Sequence, residues 1–467
     1  MFEFNFDVAK QNTIHFIGIG GISMSGLAEI LLSRGFTVTG SDNTDSHIVR
    51  HLREHGARIF IGHSPSNILD AKLVIYTDAI PDNNVELVAA RSSGVEVVDR
   101  ATFLGAMMRN FKHSVAVSGT HGKTTTTSMI ATIINYPEID PTILLGGELD
   151  SIGGNAKLGS NNYLLTEACE YKANILKYYP SIAIVLNMDE DHLDYFKSIA
   201  HIADTFKGYI DNVGTDGIVI GNADDFEVSK LIKNTGSKVI SFGVHEEADF
   251  KAENISYDSA GHPEFDLIAY GENWGRVSLK VMGLHNVYNA LAAITAASCL
   301  PIDRNDILMR ISNYGGVHRR LETKGYLGGI RIIDDYAHHP TEIKASLEAL
   351  RKSTNEKIYC IFQPHTFTRT RILLDSFSEA FKDADKIIIA DIYAARELDN
   401  GEVHSKDLVE RIRSKGSDAI YLGSFSEIED YVLGEVSESD VIVTMGAGNV
   451  YQIGEHILER NYKRATV

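Results

Sequence analysis

Val115-Ala116-Val117-Ser118-Gly119-Thr120-His121-Gly122-Lys123-Thr124-Thr125-Thr126-Thr127 decides how this chain is read. A short β-like run breaks at two glycines, meets a lysine and a run of hydroxyls, and continues as a helix. In such a loop, Gly119 and Gly122 let the backbone turn tightly and aim N–H groups at phosphate oxygens, at the positive end of the following helix. Lys123 reaches the β- and γ-phosphates, and the Thr124 hydroxyl takes a place on Mg²⁺. The segment predicts a strand, a phosphate loop and a helix, hence an α/β domain built to hold a nucleotide triphosphate. The general pattern has glycine where this chain has Val117, so the loop is shorter than the general form. An ordinary glycine turn between strand and helix is the alternative.

On both sides of this segment, strand-like runs alternate with helix-length amphipathic stretches, which argues for α/β domains with mainly parallel sheets. With 467 residues the chain is expected to divide into about three domains of ordinary size. A first block, 1–111, holds strands at Thr13 to Ile17, Thr37 to Thr39, Leu73 to Thr77 and Glu96 to Val98. A second, 112–312, contains the phosphate loop and strands at Tyr163 to Thr166, Ile182 to Leu186 and Gly217 to Ile220. It has a β-rich stretch from Asp249 to Val281 and ends in a helix around Asn286 to Cys299. A third, 313–467, has strands at Ile330 to Ile333, Lys357 to Phe362, Lys386 to Ala390 and Val441 to Met445.

Composition narrows the class of partner. A hydrophobic fraction of 44% with 23% charged residues describes a globular protein. No apolar run approaches the roughly 18 residues that span a bilayer, and the start Met1-Phe2-Glu3-Phe4 lacks the basic region of a secretory signal, so a cytoplasmic location is expected. The formal charge of -19 repels polyanions, which argues against nucleic acid or an anionic membrane as partner. Cys169, Cys299 and Cys360 lie far apart and are expected to be free core thiols.

Further constellations sit at predicted strand ends, where ligands collect in open parallel sheets. Gly18-Ile19-Gly20-Gly21-Ile22-Ser23-Met24-Ser25-Gly26 joins a strand to a helix, and Asp42 closes the next strand. Taken alone this suggests a dinucleotide site, although Ser23 stands at the third glycine of that fingerprint; another nucleotide diphosphate fits the same amides. Glu167 follows one strand and Asn187-Met188-Asp189-Glu190-Asp191-His192 another, so Glu167 and His192 are candidates to complete Mg²⁺ coordination beside Thr124. Asn286 and Asn289, three apart on a helix, can meet a purine edge or cap the helix. In the third block Asp334-Asp335-Tyr336-Ala337-His338-His339-Pro340 and Gln363-Pro364-His365-Thr366-Phe367-Thr368-Arg369 end successive strands, followed by a glycine loop at Gly446-Ala447-Gly448-Asn449. Arg319, Arg320 and Arg369 are candidates to clamp a transferring phosphoryl group.

Together, Gly-Ile-Gly-Gly-x-x-Met-Ser-Gly, Ser-Gly-Thr-His-Gly-Lys-Thr-Thr-Thr, Asp-His-Leu-Asp, His-Asn-x-x-Asn, Asp-Asp-Tyr-Ala-His-His-Pro and Gln-Pro-His-Thr-Phe-Thr-Arg-Thr resemble the Mur ligases over essentially the whole chain. The resemblance implies an N-terminal Rossmann-like domain for a UDP-sugar, a central P-loop ATPase domain and a C-terminal Rossmann-like domain that brings in an amino acid. It reassigns Gly20, Gly21, Ile22, Ser23, Met24, Ser25 and Asp42 from NAD to the UDP-sugar. It assigns Gly119, Thr120, His121, Gly122, Lys123, Thr124 and Thr125 to ATP, with Asn286, Asn289, Arg320 and Asp335 on the nucleotide. Thr124, Glu167 and His192 surround Mg²⁺, with Glu170 as an alternative carboxylate; His338, His365 and Arg369 lie near the amino acid and the sugar carboxylate. Lys207, placed where relatives carry a carbamylated lysine, receives no such role.

The activity implied is amide-bond formation: ATP converts the lactyl carboxylate of UDP-N-acetylmuramate into an acyl phosphate, and the amine of L-alanine displaces phosphate. Lys123, His192, His338, His365 and Arg369 form the implied catalytic set, in a monomer or homodimer. The readings to beat are an NAD-dependent oxidoreductase built on the first glycine loop, a non-catalytic UDP-sugar-binding ATPase, and a ligase of the same family that takes murein tripeptide.

Overall fold

The computed structural model describes residues 2–7, 12–68 and 70–465, so residues 1, 8–11, 69, 466 and 467 of the assigned blocks lie outside the described residues. Contacts group the chain into two compact units: Met1–Asp189 with Ile199–Lys251 and Asn289–Ile311, and Glu190–Ser198 with Ala252–Tyr288 and Ser312–Val467.

The first unit contains two sheets. Strands β1 (Thr13–Ile17), β2 (Thr37–Asp42), β3 (Arg58–Ile61), β4 (Leu73–Tyr76) and β5 (Glu96–Asp99) line up as β3-β2-β1-β4-β5, all parallel. That is the doubly wound order, with its switch point beside β1, where the first glycine loop leaves the sheet. The sequence reading omits β3, an edge strand whose outer residues are solvated and whose apolar signal is therefore thin.

The second sheet contains β6 (His113–Ser118), β7 (Thr142–Leu149), β8 (Gly154–Lys157), β9 (Tyr163–Glu167), β10 (Ile182–Val185), β11 (Ile218–Asn222) and β12 (Lys238–Gly243). They run β12-β11-β10-β6-β9-β7-β8, parallel except for the β7–β8 pair. Ser118, Glu167 and Val185 thus end adjacent strands, because Val117 pairs with Glu167 and Val185 with Ser118. The sequence reading omits β7, whose apolar start Ile143-Leu144-Leu145 runs into Gly146 and Gly147, and also β8 and β12; internal glycines weaken a strand pattern. Phe250 and Lys251, opening β13 (Phe250–Tyr257), pair in parallel with Phe242 and Gly243 of β12.

In the second unit, β14 (Pro263–Ala269) and β15 (Glu272–Ser278) form an antiparallel hairpin, as the β-rich stretch predicts. The third sheet contains β16 (Glu322–Leu327), β17 (Ile330–Asp335), β18 (Ile358–Phe362), β19 (Lys386–Ile389), β20 (Ala419–Tyr421) and β21 (Val441–Met445). Its order is β16-β17-β21-β18-β19-β20, parallel except for the β16–β17 hairpin. Two apolar layers cover its faces, one around Leu347, Phe362 and Phe377, the other around Ile361, Ile442 and Ile453. The sequence reading omits both edge strands: β16 is half-solvated and bulged beside Gly325, and β20 has three residues. Across the described residues, no helix is long and apolar enough to cross a membrane.

Candidate functional site

The phosphate loop grows out of β6. Gly119 and Gly122 have φ of 142° and 84°, and a Cβ at Gly122 would lie 2.5 Å from Asn289 Oδ1, so both the backbone sign and the space call for glycine. Asn187, just past β10, braces the loop: the His121 N–H donates to its Oδ1 at 2.8 Å and its Nδ2 donates to the His121 carbonyl at 3.1 Å. The helix Lys123–Ile134 starts with no side-chain cap.

Lys123 is a part-buried cation with a dedicated counter-charge. Its Nζ donates to the carbonyls of Gly119 (2.5 Å) and Thr120 (2.9 Å) and lies 3.0 and 3.2 Å from the two oxygens of Glu170, itself 2% exposed. Burial works to lower the Lys123 pKa, but Glu170, Cys169 and Glu167 overrule it and hold the ammonium above its ordinary value. Thr124 Oγ1 donates to Glu167 Oε2 at 3.1 Å, and Glu167 Oε1 accepts from the Gly146 N–H at 2.6 Å. The two carboxylates considered from sequence therefore part company: Glu167 meets Thr124, and Glu170 meets Lys123. A hydroxyl and a carboxylate oxygen side by side form a hard-donor pair that fits Mg²⁺. Thr125 is buried in the helix, and Asn289 Oδ1 accepts from Thr126 Oγ1 at 3.2 Å.

In the first sheet, the Ser41 carbonyl at the end of β2 receives the N–H groups of Gly18 (2.9 Å) and Ile19 (3.0 Å), and Asp42 Oδ2 receives that of Gly20 at 2.9 Å. The helix Ile22–Ser33 follows, with no side-chain cap at Gly21. Gly20, Gly21, Ile22 and Ser23 reach solvent, whereas Met24 and Ser25 are buried. Their side chains pack the helix against the core. Behind this loop lies a cluster the sequence reading missed. Glu86, 0% exposed, accepts from Ser41 Oγ and Asn67 Nδ2 and lies 3.0 Å from His63 Nδ1.

The second unit gathers the residues drawn from the third block. Asp335 ends β17, and Gln363 and Gly446 directly follow β18 and β21, on adjacent strands. The Asp335 carboxyl is pushed up to about 6 by burial, against the pull of Arg320 and the hydrogen bonds of Ser346 and Ala337. Arg319, offered as part of a phosphoryl clamp, is committed elsewhere: it pairs with Asp334 at 3.0 Å, donates to the carbonyls of Gly446 and Gly448, and lies over the Tyr336 ring. Arg320 also lies over Tyr336 and stands 4.0 Å from Glu342. The His339 side chain accepts from the Thr341 N–H and caps the helix Pro340–Ser353.

His338, His365 and Arg369 do come together. The His338 and His365 rings lie 5.8 Å apart, His365 Nδ1 is 3.3 Å from Arg369 Nη1, and Arg369 donates from Nε and Nη2 to Asp191 Oδ1 at 3.2 and 2.8 Å. Burial pushes His338 down to about 4, with Glu342 opposing and Arg369 adding. Burial, then His338 and Arg369, push His365 down to about 3. Both rings are thus neutral at neutral pH. His338 Nδ1 faces the Tyr336 carbonyl at 3.0 Å and so carries the proton, leaving Nε2 as an acceptor. His365 Nδ1 faces a guanidinium and so accepts, leaving Nε2–H as a donor. Burial raises the Asp191 carboxyl, but the neighbouring His192 and Arg369 overrule it and hold it well below the usual range.

His192 follows Asp191 with φ of 53° in the same segment of the second unit, its N–H donating to Asp191 Oδ1 at 2.7 Å. Asn286 donates from Nδ2 to the Met282 carbonyl at 2.7 Å. Lys207 pairs with Asp211 at 2.6 Å on an exposed helix face. Asp191 stands one residue before His192 in a quoted motif, but its pairing with Arg369 was not legible there; Tyr393, which stacks on His365 at 5.8 Å, carried no signal either.

Replacing Arg369 by alanine leaves Asp191 with its backbone donor but without its guanidinium. The expected result is a loss of about 1–3 kcal/mol in urea unfolding of the full chain. Asp191→Asn in the same background should recover most of it.

Comparisons with known proteins bear on the whole chain. Residues 13–112 match the Mur ligase family, catalytic domain; 117–297 match the Mur ligase middle domain; 319–448 match the Mur ligase, glutamate ligase domain. A protein of Acetivibrio thermocellus named UDP-N-acetylmuramate–L-alanine ligase is 51% identical over 97% of both chains. One of the same name from Caldanaerobacter subterraneus is 47% identical over 98% of this chain and 99% of its own. Among solved structures, UDP-N-acetylmuramate-alanine ligase MurC from Thermotoga maritima superposes with a TM-score of 0.82 at 32% identity, covering 97% of this chain and 100% of that one. A murein peptide ligase from Psychrobacter arcticus gives 0.73 at 26% identity, covering 96% and 98%. With a family match on each of its three sheets, and with relatives this similar along their full length, the chain belongs to the Mur ligase family.

Proposed function

We propose that this chain joins L-alanine to the lactyl carboxylate of UDP-N-acetylmuramate at the expense of ATP, releasing ADP and phosphate, in the assembly of peptidoglycan precursors. The observation that carries the reading lies inside the first unit. One cavity of about 70 Å³ is lined both by Ser23, at the helix start after the first glycine loop, and by Glu167, which receives the Thr124 hydroxyl. A substrate bound by the glycine loop and a triphosphate bound by the P-loop therefore share a common wall. The names of the most similar relatives, at 51% and 47% identity, support the same substrate pair.

A carboxylate is a poor electrophile, and the residues suit its activation. The P-loop amides and Lys123 bind and orient the triphosphate, offsetting its charge where it builds up in transfer. Thr124 and Glu167 would hold Mg²⁺, which when bound neutralises phosphate charge; His192 as a further ligand rests on the resemblance. In the second unit, Arg369 and the neutral pair His338 and His365 offer a cation, an acceptor and a donor. That set suits the carboxylate and the amine of an amino acid. Asn286, Asn289, Arg320 and Asp335 are assigned to the nucleotide, and Gly20 to Ser25 with Asp42 to the UDP-sugar. No enzyme nucleophile is needed in this scheme.

The test supplies the purified chain with ATP, Mg²⁺ and UDP-N-acetylmuramate, plus either L-alanine or murein tripeptide, and weighs the product by mass spectrometry. A product heavier by one alanyl residue, formed only with ATP, is the expected result. Preferential coupling of the tripeptide would overturn the alanine assignment, and ATP turnover with no amide product would overturn ligase activity altogether.

A further inference from the structure

We propose that Arg100 receives the lactyl carboxylate of the UDP-sugar and presents it for phosphorylation, an inference that rests on the substrate assigned above.

Arg100 lines the cavity that Ser23 and Glu167 share. It opens the helix Arg100–Met108, where a cation opposes the positive end of the helix dipole. The neighbouring carboxylate does not compensate it. Asp99 is used by the Thr102 N–H and hydroxyl (3.0 and 2.7 Å) and by Lys177 Nζ at 2.9 Å. Among the described residues, the side-chain hydrogen bond of Arg100 is a long one, from Nη2 to Tyr178 OH at 3.4 Å, and Asp78 acts on it as a further charge. A guanidinium has five N–H donors in a planar fork, which leaves capacity for a ligand in the cavity it lines.

The cavity is built to hold its shape. Gly105, one turn into the same helix, lies so close to the next segment that a Cβ there would come within 1.8 Å of the Lys177 carbonyl oxygen. Leu27, Leu104 and Leu144 wall the space beside Cys169, whose thiol is pushed up to about 11 by burial.

Charge and position choose the ligand group. The space of about 70 Å³ has the Arg100 guanidinium on its wall, which calls for an anionic group. Glu167 borders the same space and receives the hydroxyl of Thr124 from the P-loop helix. A group held by Arg100 there is next to the phosphate end of the nucleotide site, where the carboxylate that becomes an acyl phosphate has to be. Arginine also matches a carboxylate with two parallel N–H donors.

The experiment measures binding to the full chain by calorimetry, with UDP-N-acetylmuramate and with UDP-N-acetylglucosamine, which lacks the lactyl ether. Arg100→Ala is expected to weaken the first by roughly 10- to 100-fold and leave the second within about two-fold. Arg100→Lys, which keeps the buried cation and guards against a folding defect, should fall between, because the fork is lost. Equal weakening of both ligands, or unchanged discrimination in both variants, overturns the inference. Failure of the wild type to distinguish the two ligands would instead remove the substrate reading, and this inference with it.

Discussion

Lys123→Ala should lower alanine-dependent phosphate release by about 10³-fold or more, because the ammonium that offsets phosphate charge during transfer is removed. The structure adds a second consequence. Glu170 is 2% exposed and gives both oxygens to Lys123 Nζ. Without that cation the buried carboxylate loses the ammonium that both its oxygens meet, which costs about 3–5 kcal/mol. The single variant should therefore be both inactive and less stable. Lys123→Ala with Glu170→Gln should regain much of the stability in urea unfolding and none of the activity. If the double variant recovered phosphate release as well, Lys123 would be a folding residue and the P-loop assignment would fall. Glu170→Gln alone separates the roles further: Lys123 keeps the loop carbonyls at 2.5 and 2.9 Å, and catalysis should fall far less than in Lys123→Ala.

What the sequence made legible follows the physics of each signal. Central strands such as β1, β6 and β21 are apolar on both faces, so their runs are unmistakable and their ends hold to within a residue or so. Edge strands β3, β16 and β20 are half-solvated or very short, and their pattern fades into that of loops. The glycine loops were readable because φ above zero and close backbone approach leave a residue-type signature. Charge pairing was not. Nothing local in the sequence says that Glu170 rather than Glu167 meets Lys123, or that Asp191 meets Arg369 across 178 positions. Those contacts come from strand order, which sets which carboxyl ends are neighbours. Arg100 carried one faint local signal, a cation in the first turn of a helix.

The largest stability effect expected away from the phosphate loop is at Glu86. Its buried carboxylate is reached by Ser41 Oγ, Asn67 Nδ2, His63 Nδ1 and the Ser64 N–H, and His15 Nε2 lies 3.8 Å away. Glu86→Ala opens a cavity and strands several buried donors, with an expected loss of about 3–5 kcal/mol in urea unfolding. The sign of its pH dependence follows from its titration. Burial raises the Glu86 pKa, but His15 close by and the hydrogen bonds of Ser41, His63 and Asn67 win and lower it from 4.5 to about 2. As pH falls, the unfolded chain takes up the proton first, so the contribution of Glu86 is fully present above about 4.5 and is lost between there and about 2. Glu86→Gln should therefore flatten the acid limb of stability against pH in that window. Its effect on binding is directional too. Ser41 accepts the N–H groups of Gly18 and Ile19 through its carbonyl and is held by Glu86 through its hydroxyl, so loosening Glu86 loosens the glycine loop. UDP-N-acetylmuramate should bind more weakly to Glu86→Gln, with KM for ATP unchanged. An equal rise in both KM values would mean that the cluster supports the whole unit rather than the loop.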